Sequence, residues 1–513
     1  MFLLEDWSMD LPLELFLRCD WSRLLSLRTD PCTPPAPDAP LFFPPKPGCI
    51  CFAKGCDRFG RGIVDMAAPL RRFSGASRAP CVPSTRVRRA CACSSTEQDV
   101  RSYPNGKRFD AREFRRSLNR TGRYTRRTLD DVESLAKMEA HGVGYSKHGL
   151  VAQMQANGNR WTCEDVEVVL ATSYGFCWGV ERAVQMAYEA RKVYPNERMY
   201  ITNEIIHNPS VNERLKEMDV RFVQADQGGN KDFGDVEAGD VVILPAFGAS
   251  VMEMQLLNDR GVKIVDTTCP WVAKVWNAVD VQKKKRCTSV IHGKWNHEET
   301  VATASFASDY LVVKDMEEAE YVANYILHGG NKQEFLKKFE NAMSEGFDPD
   351  VQLERVGVAN QTTMLKGETE RIGKLFEKTM LQKHGPTKLQ EHYVVMDTIC
   401  DATQERQDAM YELVQQDVDM IVVVGGFNSS NTSHLQEISE EYKIPSYWVD
   451  TSGRIDVENN AIAHRLSYGE LVTTKDWLKP GPLKVGITSG ASTPDRVVED
   501  VLEALFETKQ KHA

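Results

Sequence analysis

The sequence predicts an α/β fold of three pseudo-equivalent units whose parallel sheets are arranged around a common centre. About eleven short β-branched runs follow residue 165, and helix-period stretches separate many of them. Near-continuous apolar runs such as MIVVVGG indicate parallel strands covered on both faces, and this many strands suggests more than one sheet. Three of the runs are followed by a cysteine and then by a helical pattern, at Cys177, Cys269 and Cys400.

The composition is that of a globular protein with several domains. Of the 513 residues, 42% are apolar, which is enough to fill several cores. The formal net charge of -10 argues against a nucleic-acid binder, whose surface is normally basic. Apolar runs fall short of the roughly 18 residues that a membrane helix needs. We therefore expect neither a nucleic acid nor a membrane as a partner.

The N-terminal segment is expected to precede the folded protein. Residues 1–65 lack a regular pattern and include a proline-rich stretch, so we interpret them as a disordered upstream extension. Residues 66–93 are rich in Arg, Ser, Ala and Pro and contain no acidic residue, which is the signature of an organelle transit peptide. A disordered basic tail is the alternative. Eight of the 13 cysteines fall in the first 93 residues, so a disulfide framework is not expected in the body of the protein.

Residues 94–164 are expected to form a basic arm or linker. Between residues 101 and 127, ten Lys or Arg stand against two acidic residues. Such an arm on an acidic protein could dock an acidic partner. A solvated linker is the simpler interpretation, and composition alone favours it.

The folded part is predicted to divide near the cysteines. The units are 165–269, 270–396 and 397–495, followed by a C-terminal helix at 496–513. Open parallel sheets bind ligands outside the carboxyl ends of their strands. Polar residues that directly follow a strand are therefore the candidates for a functional site.

The three cysteines occupy equivalent strand-to-helix junctions. A helix N-terminus lowers the pKa of a thiol and favours the thiolate that binds metal. Three thiolates brought together could hold zinc or an iron–sulfur cluster. Buried cysteines acting as small apolar side chains are the alternative, which the coincidence of three matching positions disfavours. Three ligands on a [4Fe-4S] cluster would leave one iron open to a substrate, which indicates an enzyme rather than an electron carrier.

Other strand ends carry donors suited to a diphosphate. The segment GGFNSSNTSHL follows a strand with two glycines and leads into a helical pattern. Backbone N–H groups, hydroxyls and an amide that converge at a helix start form an anion site. Taken singly, such residues are more often helix caps or structural residues. The candidate donors are His207, His297, Ser429, Ser430, Asn431 and Ser492.

Together and in this order, the motifs resemble the 4-hydroxy-3-methylbut-2-enyl diphosphate reductase family. The resemblance covers about residues 165 to 510, nearly the whole folded part. The N-terminal features are similar to those of the chloroplast branch. The motifs that carry it are YGFCWGVERAV, NEIIHNPSVNERL, LPAFGAS, VDTTCPWVAKVW, HGKWNHEET, ANQTTM, DTICDATQERQDA, GGFNSSNTSHL and ITSGASTPD.

The resemblance implies a trefoil-like arrangement of the three units around a [4Fe-4S] cluster held by Cys177, Cys269 and Cys400. It implies reduction of an allylic diphosphate to isopentenyl and dimethylallyl diphosphates, the last step of the methylerythritol phosphate route. Glu299 would deliver the proton, and Thr362 would orient the substrate hydroxyl and the proton relay. The six candidate donors would bind the diphosphate. Ferredoxin in the chloroplast stroma is the electron donor that family and compartment imply, and a homodimer is left open.

One position departs from the family pattern, and two other functions compete. Phe247 stands in LPAFGAS where many bacterial members carry a histidine, so one diphosphate contact is expected to be absent. A quinolinate synthase-like lyase also gathers three cysteines from three α/β units around a cluster, but it should lack the HNxxV, HEET and NSSN combination. A non-catalytic iron–sulfur sensor would need no diphosphate site.

Overall fold

The computed structural model describes residues 110–225, 231–396, 398–467 and 469–512. The predicted extension 1–65 and the predicted transit peptide 66–93 lie outside the described residues. In the part that the structure describes, no helix is both long and apolar enough to span a bilayer.

Helices and strands alternate along most of the described chain. The helices are α1 Ala111–Arg120, α2 Val132–Ala140, α3 Leu150–Ala156, α4 Trp178–Val193, α5 Pro209–Glu217, α6 Val251–Asp259, α7 Pro270–Lys284, α8 Glu298–Ala304, α9 Met316–His328, α10 Lys332–Lys338, α11 Pro349–Gln352, α12 Lys366–His384, α13 Leu389–His392, α14 Asp401–Leu413, α15 Ser430–Glu441 and α16 Asp495–Lys511. The strands are β1 Tyr124–Thr125, β2 Arg160–Cys163, β3 Val166–Leu170, β4 Met199–Ile201, β5 Val220–Phe222, β6 Val241–Leu244, β7 Lys263–Asp266, β8 Thr288–His292, β9 Tyr310–Val313, β10 Val356–Asn360, β11 Tyr393–Val395, β12 Met420–Val424, β13 Ser446–Val449, β14 Ile455–Asp456, β15 Ala461–Arg465, β16 Leu471–Lys475 and β17 Leu483–Ser489.

The first sheet has five strands in the order β1-β7-β6-β4-β5, and every pairing is parallel. On its strand β6, Val242 and Leu244 contribute to one core, whereas Val241 and Ile243 contribute to another. Since neighbouring side chains of a strand point to opposite faces, both faces of this sheet are covered. This explains why the strand reads as an unbroken apolar run.

The second sheet has four parallel strands in the order β11-β10-β8-β9. Helix α7 packs on one face, where the Gln282 amide donates to the Val358 carbonyl at 2.9 Å and accepts from the Ser289 hydroxyl at 2.7 Å. A Cβ on Gly357 would lie 2.4 Å from the Gln282 side chain, so glycine permits this close approach. The predicted α/β class with parallel sheets is confirmed.

The third sheet has eight strands and is mixed. Its centre, β13-β12-β17-β3, is parallel, whereas β2 and the strands β14, β15 and β16 pair antiparallel at the edges. The edge strands are joined by short connections, and antiparallel strands can be linked by such hairpins. The purely parallel sheet expected for the third unit therefore holds only for its centre.

The strand before Cys177 lies in a different sheet from the one expected. Val166–Leu170 was placed in the unit 165–269, but it pairs in parallel with Leu483–Ser489 of the third sheet, in the register Leu483 to Val166. An apolar pattern predicts a buried strand without specifying its neighbour. The third sheet is therefore built from both ends of the folded chain.

The described part of the predicted arm or linker is folded rather than being a solvated linker: residues 110–125 pack on the first sheet, whereas β2 pairs with β3 of the third sheet. Phe114 and Leu118 lie one helical turn apart on α1, and both are buried, as is Tyr124. Strand β1 pairs with β7, with Tyr124 opposite Ile264. The charge of the segment obscured this short apolar pattern. Most of its described arginines are exposed, whereas Arg115 and Arg126 are partly buried.

Candidate active site

Each candidate cluster cysteine is the N-cap of a helix. Cys177 precedes α4, Cys269 precedes α7 and Cys400 precedes α14. The strands that come before them, β3, β7 and β11, belong to the third, first and second sheets respectively. Each sheet therefore supplies one cysteine from the carboxyl end of one of its strands, where ligands of parallel sheets bind.

The sulfur atoms converge near the start of α4. A Cβ on Gly179 would lie 2.5 Å from the Cys269 Sγ and 3.9 Å from the Cys177 Sγ. Glycine at this position therefore leaves the space in which these two sulfurs approach each other. Cys400 is close enough that ionised Cys177 raises its pKa. The set offers three thiol ligands around one point, which fits the donor requirements of an iron–sulfur cluster.

Burial has the largest effect on the pKa of two of these thiols. It raises the pKa of Cys269 to about 12 and that of Cys400 to about 11, with a further increase from ionised Cys177. Hydrogen bonds from the first backbone N–H groups of each helix act in the opposite direction. The expected lowering by the helix N-termini is thus outweighed by desolvation. Metal binding has to displace the thiol protons.

Glu299 and Thr362 form a buried hydrogen-bonded pair. The Thr362 backbone N–H donates to Glu299 Oε1 at 2.6 Å, and the Thr362 hydroxyl donates to Oε2 at 3.0 Å. Burial raises the pKa of Glu299 to about 7, although these two hydrogen bonds oppose the increase. A carboxyl group with this pKa is partly protonated at neutral pH and can act as a general acid. Ionised Glu299 also raises the pKa of Cys400, which places the carboxyl near the sulfur group.

His297 and His207 form a hydrogen-bonded pair in which the donor and the acceptor can be assigned. His297 is the N-cap of α8, and its Nδ1 accepts from the Glu299 N–H at 3.1 Å. Its Nε2 must therefore carry the proton, which points at His207 Nε2, 3.3 Å away. His207 then donates from Nδ1 to Glu204 Oε2 at 3.0 Å. Burial, with an added contribution from His207, lowers the pKa of His297 to about 3.

Phe247 packs against this histidine pair. Its ring is stacked on His207 with a centroid separation of 4.4 Å and an angle of 17° between the planes. The same ring meets His297 edge to face at 6.1 Å. The aromatic side chain thus takes the space beside the pair and holds the His207 ring in place. It supplies no hydrogen bond to an anion.

The start of α15 lies beside His207. The Ser492 hydroxyl donates to the His207 carbonyl at 3.2 Å, and a Cβ on Gly426 would lie 2.2 Å from that same oxygen. Asn431 Oδ1 accepts from the Ala491 N–H at 2.9 Å. Among the described residues, its buried Nδ2 has no hydrogen-bond partner. An unpaired buried donor next to a helix N-terminus is suited to an anion.

Ser429 and Ser430 begin the same helix. Ser429 is its N-cap and accepts from the Thr432 N–H at 3.3 Å. The Ser430 hydroxyl accepts from Gln361 Nε2 at 3.1 Å. Gln361 directly precedes Thr362, so this contact joins the helix start to the Glu299 pair.

Sequence reasoning missed several residues that connect the site. Gln361 Oε1 accepts from the Lys294 N–H at 3.1 Å and from the Thr300 hydroxyl at 3.2 Å, which ties α8 to the end of β10. Glu298 accepts from the Asn203 amide at 2.7 Å. Their positions in the sequence could have indicated a role in the site, because Gln361 directly follows a strand and Glu298 directly follows His297. The structure thus links the eleven candidate residues in one continuous region at the strand ends of three sheets.

Two sequence comparisons with known proteins agree with each other. The sequence model of the LytB protein family matches residues 168–506. The chain is 63% identical over 408 residues to a chloroplastic 4-hydroxy-3-methylbut-2-enyl diphosphate reductase of Botryococcus braunii, covering 78% of this chain and 81% of that protein. It is 60% identical to the reductase of the same name from a Picosynechococcus strain, covering 79% of this chain and 99% of that protein. A solved Plasmodium falciparum structure, titled as an E-1-hydroxy-2-methyl-but-2-enyl-4-diphosphate reductase, is 23% identical with a TM-score of 0.49, covering 66% of this chain and 87% of that one.

Proposed function

The chain belongs to the LytB protein family, and on that premise we propose that it reduces 4-hydroxy-3-methylbut-2-enyl diphosphate to isopentenyl and dimethylallyl diphosphates. The proposal is carried by the 63% identity to a reductase of that name. It is supported by the three cysteines, each of which is the N-cap of a helix and all of which lie close together. The enzyme is an oxidoreductase of isoprenoid precursor synthesis.

The donor set supports a [4Fe-4S] cluster on Cys177, Cys269 and Cys400. Thiolates are the usual ligands of such clusters, and burial together with ionised Cys177 raises the pKa of both Cys269 and Cys400, which places Cys177 near the other two. Bound there, the cluster would supply electrons one at a time and an iron without a protein ligand, which acts as a Lewis acid. The three cysteines would hold the group, and Glu299 lies near enough to Cys400 that its ionised form raises the pKa of that thiol.

Glu299 and Thr362 supply the proton chemistry in this proposal. Loss of the allylic hydroxyl as water requires a proton at that oxygen, and reduction of the allyl group requires a second proton at carbon. Glu299 has the burial and the raised pKa of a general acid at neutral pH. The Thr362 hydroxyl, which donates to Glu299 at 3.0 Å, can reorient toward the substrate hydroxyl and pass that proton on.

The diphosphate is bound by the groups around the start of α15. His207, His297, Ser429, Ser430, Asn431 and Ser492 present side chains there, and the helix N-terminus adds backbone N–H groups. An anion that enters beside the pair can accept the His297 Nε2 hydrogen bond in place of His207 Nε2. Phe247 contributes packing and no hydrogen bond, so the remaining donors carry the charge recognition.

Replacing Asn431 with aspartate should weaken substrate binding selectively. Aspartate keeps the acceptor for the Ala491 N–H but exchanges the unpaired donor for a negative charge beside the diphosphate. A hydrogen bond to a charged group contributes about 1.5–3 kcal/mol, so KM should rise by about 10-fold or more. Steady-state kinetics would measure this change. The matched control is Asn428→Asp at an exposed position of the same loop; equal KM values for the two variants would contradict the assignment.

We further propose that the enzyme acts in the plastid stroma and receives its electrons from ferredoxin. The similarity to a chloroplastic reductase supports the compartment. A pocket of about 400 Å³ opens beside Cys177, lined among others by Trp178 and Trp271. Trp178 directly follows a proposed ligand and is 60% exposed, so an electron carrier that docks there would lie near the cluster.

An anaerobic assay tests the reductase assignment. The full chain, purified without oxygen, should show the absorbance and iron content of a [4Fe-4S] protein. It should oxidise a reduced viologen dye when 4-hydroxy-3-methylbut-2-enyl diphosphate is added, and both isomeric products should form. A cluster without dye oxidation would favour the sensor, and turnover of the lyase substrates would favour the quinolinate synthase-like alternative. Absence of both cluster and oxidation would refute the proposal.

A further inference from the structure

The segment at residues 110–127 lies outside the region matched by the family model, yet it reaches a proposed cluster ligand. The family match begins at residue 168. Strand β1 pairs with β7, and β7 ends three residues before Cys269. The side chains that follow β1 therefore lie where this ligand leaves the first sheet.

Arg126 connects the segment to the residues just before Cys269. Its Nε lies 3.0 Å from Asp266 Oδ2, and its Nη2 donates to the Thr268 carbonyl at 3.3 Å. That carbonyl belongs to the peptide bond that precedes Cys269. The Arg126 side chain is 26% exposed, whereas Asp266 is fully buried. The contact is thus largely shielded from solvent, where charges interact strongly.

Arg182 places a second guanidinium at the same carbonyl. It projects from α4, one turn after Trp178, and its Nη1 donates to Thr268 O at 3.5 Å. Its Nη2 donates to the Arg126 carbonyl, so the two arginines are also held to each other. One cation comes from the N-terminal segment and the other from the helix that Cys177 caps.

Asp266 compensates only one of the two cations. It also accepts from the Tyr124 hydroxyl and from the Thr268 N–H at 2.9 Å, so its position is fixed from three sides. Arg115 and the Glu189 carboxylate also interact electrostatically with this network. Three guanidinium groups then face two carboxylates, so the net charge stays positive. Although burial alone would lower the pKa of Arg126, Asp266, Tyr124 and Cys269 together raise it above its usual value. The negative form of Cys269 is thus within reach of this charge.

We propose that Arg126 and Arg182 are positioning residues that raise the reduction potential of the cluster through Cys269. The inference rests on the proposed function, since it requires a cluster on the three cysteines. A [4Fe-4S] cluster with three thiolates becomes more negative when it accepts one electron. A fixed positive charge beside one ligand stabilises the reduced form more than the oxidised form, and cluster potentials respond to local charge in this way. The N-terminal segment thereby forms part of the redox site.

The proposal is tested with two substitutions that change the charge of the Arg126–Asp266 ion pair in opposite directions. Arg126→Gln removes the cation, whereas Asp266→Asn removes the carboxylate and leaves both guanidinium groups. The matched control is Arg127→Gln, which removes the same charge from an exposed neighbouring position. Each variant is prepared as the full chain, loaded with iron and sulfide without oxygen, and titrated with dithionite while the reduced cluster is followed by electron paramagnetic resonance.

Arg126→Gln should shift the midpoint potential to more negative values, and Asp266→Asn should shift it to more positive values. Arg127→Gln should leave it near that of the unsubstituted chain. A purely structural role predicts the same direction for both ion-pair variants or no shift in either, and either result would overturn the proposal. Arg126→Lys serves as a second variant and should restore most of the potential if charge is what matters. If the unsubstituted chain binds no cluster, the proposed function fails; if it binds one and Arg126→Gln matches Arg127→Gln, only this inference fails.

Discussion

Replacing Cys400 with alanine is expected to abolish cluster loading and reductase activity together. The sulfur lies at the N-cap of α14, and removal of one of the three proposed ligands would leave too few thiolates to hold the proposed cluster. Loss of an outer contact to a metal ligand already costs about 10–100-fold in activity or affinity, so loss of a ligand should exceed about 100-fold. Iron and sulfide per chain, visible absorbance and dye oxidation would measure the effect.

Cys163→Ser is the matched control for this prediction. Cys163 lies on the edge strand β2 and is only partly buried, away from any helix N-terminus. This variant should load a full cluster and keep its activity. Circular dichroism should show that Cys400→Ala retains its helices, since α14 is anchored by buried Ala409, Met410 and Leu413. A Cys400→Ala protein with the iron content of the control would contradict the ligand assignment.

The features of the site that the sequence predicts best are those determined by neighbouring residues in the chain. Each cysteine follows an apolar run and precedes a helical pattern, and both patterns are set by residues within about fifteen positions of it. The structure places all three at helix N-caps accordingly. Glu299 and Thr362 were assigned through the family resemblance, and the structure brings their side chains within 3.0 Å.

The features that sequence could not predict depend on distant pairings. The apolar pattern of Val166–Leu170 is the same whichever sheet it joins, so its pairing with Leu483–Ser489 had no local signal. Desolvation of Cys269 depends on how the three units pack, and it reverses the pKa direction expected from the helix N-terminus alone. Arg126 lies in a strongly basic segment, and only the β1–β7 pairing distinguishes it from its neighbours.

Replacing Glu299 with glutamine is expected to lower kcat strongly while substrate binding persists. Glutamine keeps the shape of the side chain and an acceptor for the Thr362 N–H but cannot deliver a proton. General acid catalysis contributes about 10²–10⁴-fold to a rate, so kcat should fall by that range while KM changes little. Dye oxidation gives both constants. Perturbation of the cluster spectrum on adding substrate checks binding independently of turnover.

The pH dependence of kcat/KM tests whether Glu299 is the group that supplies the proton. Burial raises the pKa of Glu299 to about 7, so its acid form is present below that pH and is lost above it. The kcat/KM of the unsubstituted enzyme should therefore fall as pH rises through about 7, because this ratio reports the free enzyme, and this limb should be absent from Glu299→Gln. Glu317→Gln, an exposed glutamate in the first turn of α9, is the control and should keep both rate and profile. A Glu299→Gln enzyme that turns over near the rate of this control would exclude Glu299 as the proton donor.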